Sequence, residues 1–119
     1  MTFEELQEKV LEWADSHDLL HEENADKQFL KFVEEVFEFK TEFDLNGFRF
    51  GMGDDFSYIS EDLMFEMGDI IVTLIILCKQ IEIDPQECLE LAYEKIKDRK
   101  GKTINGMFVK AEDLPGRVE

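Results

Sequence analysis

Four helices and a short C-terminal hairpin, hence an all-α fold, are what the sequence predicts, and three observations carry that prediction. Apolar residues recur at three- and four-residue spacing through most of residues 2–100. Helix-start signatures precede those stretches, the strongest being Asp84-Pro85-Gln86-Glu87. An Asn105-Gly106 pair then sits between two short strand-like segments. The chain has 119 residues, which suits one domain of about 100–150 residues. The expectation is therefore a single domain over 1–119, with a helical core of about 2–100 and a basic tail or hairpin over 101–119.

Each element has its own warrant. Thr2 followed by Glu5 makes a capping box, and Phe3, Leu6, Val10, Trp13 and Ala14 give the first helix its apolar stripe, ending near Ser16-His17. A loop with His21 and Asn24 leads to a second helix over about 25–44, whose apolar residues are Phe29, Phe32, Val33, Val36, Phe39 and Phe43. Residues 44–59, rich in Gly and Asp, form a long polar connection. Ser60 is the expected cap of a third helix running to about Gln80, apolar nearly all round from Leu63 to Leu77 and therefore central. The fourth helix starts at Pro85, uses Leu89, Ala92, Tyr93 and Ile96, and is expected to stop near Gly101.

Composition narrows the function. There are 13 Lys and Arg against 29 Asp and Glu, a formal charge of −16, yet 44% of residues are hydrophobic and 11 are Phe. A core is affordable, so the acidity does not signal disorder. It argues against polymeric nucleic acid and anionic membranes as partners. Residues 1–94 hold 6 basic and 25 acidic residues, whereas 95–119 hold 7 and 4, most of that excess in Lys95-Ile-Lys97-Asp-Arg99-Lys100-Gly-Lys102. The N-terminal residues lack a basic and apolar leader pattern, and the longest apolar stretch, residues 70–78, is nine long and includes Thr73. Cys78 and Cys88 make no metal-type spacing. A cytoplasmic protein is the expectation.

Among so many acids, most E-x-x-E spacings are solvated faces. Glu66 and Asp69 differ, because they interrupt the most apolar helix of the chain. Three apart, they lie on one side of it, and an unpaired buried carboxylate costs several kcal/mol or neutralises. The second helix supplies a matching stripe. Taking about 100° per residue from Glu35, Gln28 falls near +20°, Lys31 near −40°, Glu38 near −60° and Glu42 near −20°. Glu34 falls about 100° away, on the solvated side. Antiparallel packing of these stripes would gather Glu35, Glu38, Glu66 and Asp69. Oxygen donors without nearby Cys or His select a hard cation, Mg²⁺ or Mn²⁺. His17 and His21 lie outside both carboxylate helices, which disfavours iron. Gly68, a helix-interior glycine between the two acids, would permit close approach of a ligand or of another helix.

The pattern resembles the MazG-like, all-α nucleoside triphosphate pyrophosphohydrolases, whose signature is E-E-x-x-E, a spacer, then E-x-x-D. Here it reads Glu34-Glu35-Val-Phe-Glu38, 27 residues, then Glu66-Met-Gly-Asp69, with Ala25-Asp-Lys-Gln28-Phe-Leu-Lys31 upstream and Lys95-Ile-Lys-Asp-Arg99 downstream, so it spans roughly residues 5–100. The resemblance implies a Mg²⁺-dependent enzyme that cleaves a nucleoside triphosphate between its α- and β-phosphates. Glu35, Glu38, Glu66 and Asp69 would hold Mg²⁺ and carry the catalysis. Gln28, Lys31, Lys95 and Arg99 would contact substrate, Lys95 and Arg99 sharing one face of the last helix. These motifs do not specify the base pocket: Trp13 and the Phe residues of the second helix are candidates to stack on a base, although residues at helical spacing are more often core. Tyr93 departs from the family, whose members often carry Asn there. Family members assemble as homodimers or homotetramers, which fits a third helix too apolar for one subunit to cover. Two other readings remain open: a noncatalytic nucleotide-binding relative, and an acidic helical interaction protein.

Overall fold

The computed structural model describes residues 1–45 and 61–115. Four α-helices dominate, followed by a two-stranded hairpin. Most of the 44–59 connection, and Ser60, lie outside the described residues. The chain divides into two compact units, Met1–Asp84 and Pro85–Glu119, so the boundary falls at the Asp84-Pro85 start signal.

The first unit holds three helices. Helix α1, Phe3–Ser16, begins as expected: the Glu5 amide donates to Thr2 Oγ1 at 3.1 Å. It ends with Asp18 in the left-handed region (φ 59°), the Leu19 amide reaching back to the Ala14 carbonyl at 2.9 Å. That six-to-one bond adds a second donor to the Ala14 carbonyl, which also accepts from the His17 amide at 3.2 Å. A 3₁₀ turn, Glu22–Asn24, leads into α2, Ala25–Leu45. Helix α3, Glu61–Gln80, ends in the same manner as α1, with Glu82 at φ 59° and the Ile83 amide on the Cys78 carbonyl at 2.9 Å.

Helix α3 packs against both α1 and α2 and is central to this unit, as its all-round apolarity predicts. Six of its residues are buried: Leu63, Thr73, Ile75, Ile76, Cys78 and Gln80. From the other helices only Ala14 and Glu35 join them. Two side-chain amides tie the unit together. Gln28 Nε2 donates to the Thr73 carbonyl at 3.2 Å, joining α2 to α3, and Gln80 Nε2 donates to the Leu19 carbonyl at 2.8 Å, joining the ends of α3 and α1. The sequence places Thr73 and Gln80 in an apolar helix but does not reveal that both become fully enclosed. Much apolar surface stays open, including Phe29, Leu30, Phe37, Met64 and Phe65.

The second unit holds α4, Pro85–Ile96, and a hairpin of β1, Gly101–Ile104, and β2, Met107–Lys110. The strands pair antiparallel with Gly101 opposite Lys110 and Ile104 opposite Met107. Asn105 (φ 52°) and Gly106 (φ 79°) both take positive φ, as a two-residue primed turn demands. Helix α4 stops five residues short of the expected Gly101. The Lys97 amide still bonds to the Tyr93 carbonyl, but the Arg99 amide reaches the Ile96 carbonyl, a tighter turn that closes the helix. Arg99 therefore lies beyond α4, and it does not share a helical face with Lys95. Among the described residues, no helix is long and apolar enough to cross a membrane.

Candidate functional site

The acidic stripe of α2 and the Glu66 side of α3 meet as the periodicity predicts. Glu35, Glu38 and Glu66 each place a carboxylate oxygen so that all three lie within 4.8 Å of one another. They come from different depths: Glu35 is buried at 6% exposure, Glu66 half-buried and Glu38 exposed. Asp69 is exposed and lies outside this group. One turn farther along α3, it acts on the group only through its charge.

The hydrogen-bond inventory is uneven. Glu35 Oε1 receives the Lys31 ammonium at 3.1 Å, and the same Nζ lies 3.8 Å from Glu34. Glu35 Oε2 and Glu66 Oε2, by contrast, are buried with no hydrogen-bond partner. Buried polar atoms are paired in the great majority of cases, and an unpaired ionised carboxylate is among the costliest exceptions. Here two converge.

Their mutual repulsion appears in the proton affinities. The Glu66 carboxyl is raised above its ordinary value first by burial, then by the charges of Asp69, Glu35 and Glu42. The Glu38 carboxyl is raised by hydrogen bonding to Glu35 and then by that neighbour's charge. With both ionised, neither can donate, so the Glu35–Glu38 bond exists only when a proton is present. Lys31 is raised in turn, chiefly by its hydrogen bond to Glu35. One ammonium thus faces Glu34, Glu35 and Glu38, leaving the group short of positive charge. A divalent cation among the three oxygens would supply what is missing.

The other expected site residues are spread more widely. Gln28 spends its amide nitrogen on the α3 backbone. Trp13 is half-exposed on α1, its ring 4.6 Å from that of His17. Lys95 and Arg99 belong to the second unit, the former in the last turn of α4. At Gly68 a Cβ would meet nothing within 4 Å, so among the described residues no neighbouring helix approaches it and the space there is open. His17 caps the end of α1, and His21 pairs with Asp18, both outside the carboxylate helices. Comparison with family models, with curated proteins and with solved structures gives no match. The site is therefore argued from its own chemistry.

Proposed function

We propose that the chain is a Mg²⁺-dependent nucleoside triphosphate pyrophosphohydrolase with a MazG-like helical architecture. The observation that carries this reading is the pair of buried, unpartnered oxygens, Glu35 Oε2 and Glu66 Oε2, in a three-glutamate group served by one lysine. It gains support from the E-E-x-x-E and E-x-x-D spacings that supply those glutamates. Glu35, Glu38 and Glu66, with Asp69 one turn along α3, would hold the cation. Bound Mg²⁺, or Mn²⁺ in its place, would offset the triphosphate charge and acidify the attacking water. Water adds to the α-phosphorus, the bond to the bridging oxygen breaks, and pyrophosphate leaves a nucleoside monophosphate behind. By the sequence resemblance alone, Lys31, Lys95 and Arg99 are candidates for phosphate oxygens and Gln28 for another substrate contact; Trp13 is a candidate to stack on the base only as an aromatic ring.

The exposed Met64 and Phe65 of α3 and Phe29 and Phe37 of α2 support assembly as a homodimer or homotetramer. Light scattering at micromolar protein checks that part, and a monomer would refute it. The activity is tested with a panel of ribo- and deoxynucleoside triphosphates plus Mg²⁺, read as pyrophosphate release. Release that disappears in Glu66→Gln supports the reading. Stabilisation by nucleotide and Mg²⁺ without release would mark a noncatalytic binding relative, and no thermal shift with either would leave an acidic interaction protein.

A further inference from the structure

The two oxygens of Glu35 have unlike surroundings. Oε1 is held by Lys31 at 3.1 Å, one turn earlier on the same helix, while Oε2 is buried and unpartnered. Burial and the ion pair both restrict this carboxylate: Glu35 is enclosed at 6% exposure, whereas Lys31 is about half-exposed and lies 3.8 Å from Glu34 on its other side. The carboxylate therefore has one oxygen already spoken for and one left to give.

From this geometry we propose that Lys31 is a positioning residue that makes Glu35 a single-oxygen ligand and so sets cation selectivity, an inference that rests on the cation site proposed above. Ca²⁺ accepts six to eight oxygens, at about 2.3–2.6 Å, and readily takes both oxygens of one carboxylate, whereas Mg²⁺ binds at about 2.0–2.1 Å through one or two carboxylates and keeps several waters. A carboxylate locked by an ammonium at Oε1 suits the second ion and handicaps the first. Lys31 also repels any cation through its charge, but that repulsion acts equally on two divalent ions. The ratio of their affinities isolates the geometric effect from the electrostatic one. This role differs from a phosphate contact, since it operates without nucleotide.

The test is isothermal titration of the nucleotide-free protein with Mg²⁺ and with Ca²⁺, in wild type and in three variants. Lys31→Met removes both the charge and the donor. It should tighten both cations and raise the Ca²⁺-to-Mg²⁺ affinity ratio by about tenfold, because Glu35 can then offer both oxygens. Lys31→Leu, which likewise lacks charge and donor, provides the same readout should the methionine variant fold poorly by circular dichroism. Glu34→Gln removes the outlying charge while leaving the 3.1 Å contact, and its ratio should match wild type. An equal shift for both ions in the neutral Lys31 variants would overturn the positioning role while leaving the cation site intact. Failure of the wild-type protein to bind either ion would overturn the cation site itself, and this inference with it.

Discussion

The first unit carries 6 basic and 22 acidic residues, a net of −16, while the second carries 7 of each and is neutral. Burial runs the same way. Every buried residue among those described lies in the first unit, including Glu35, Thr73 and Gln80, and α4 and the hairpin bury none. The second unit is held instead by local devices: a proline-started helix, a 2.8 Å Lys97–Glu94 ion pair, an Asn-Gly turn, and the Ala111 amide on the Lys100 carbonyl at 2.8 Å. The difference teaches where chemistry can be kept. Holding a carboxylate in an unfavourable state requires surroundings that resist relaxation, and only the three-helix unit supplies them.

The largest effect that would sharpen this contrast comes from the glutamates. Glu35→Gln and Glu66→Gln should each lower pyrophosphate release by more than about 100-fold, since even partners that merely orient a metal ligand cost 10–100-fold when lost. Glu66→Gln should also melt higher than wild type without cation. The raised carboxyls of Glu38 and Glu66 give the sign: their contribution to stability is fully present below their ordinary value of 4.5 and is lost as pH rises through their raised values. At neutral pH the ionised group therefore weakens the cation-free fold. A lower melting temperature in Glu66→Gln would mean that the carboxylate is structural.

Next in size is Gly101→Ala. A Cβ there would sit 2.1 Å from the Val109 carbonyl oxygen across the hairpin, an overpacking worth about 1–3 kcal/mol. Amide exchange should speed up over 101–110 while α1, α2 and α3 keep their protection. Equal loss in the first unit would break the division between the two. Gly68→Ala should act in the opposite direction, raising stability by about 1 kcal/mol, because the site is open and alanine is the better helix former. A higher melting temperature accompanied by weaker nucleotide binding would show that a ligand uses that space.

The smallest effect belongs to His21, raised above 6.5 chiefly by its hydrogen bond to Asp18. A raised histidine stabilises fully below its ordinary value and loses that contribution as pH climbs through the raised one. His21→Gln should therefore destabilise measurably below pH 6.5 and approach wild type in alkaline buffer. Thermal melts of the two proteins across that range read the difference, and parallel curves would refute it.

Local chemistry made much of the fold legible. Thr2 and Glu5 mark the start of α1, Pro85 that of α4, and Asn105-Gly106 the hairpin turn, because each signal needs only its neighbours to act. The convergence of Glu35, Glu38 and Glu66 was legible too, since helical spacing fixes which side chains share a side. It does not fix how far along the axis they meet, and so Asp69 was grouped with them. The end of α4 was misjudged because Gly101 looked like the stop, whereas Gly101 is needed by the hairpin and Ile96 already closes the helix. Exposure of Phe29 and Val36 was hidden for a related reason. A periodic stripe tells which residues face together, and not whether anything covers them.

The hydrogen bond from Gln28 to the Thr73 carbonyl works as an indexing pin for the whole pair of helices. Seven residues beyond Gln28 stands Glu35, and seven before Thr73 stands Glu66, so both lie two turns, about 10 Å, from the pin along antiparallel axes. The bond that fixes the pitch of α2 on α3 thereby fixes which acids meet. An inserted residue between 29 and 34 would turn Glu35 by about 100° and lift it out of step with Glu66.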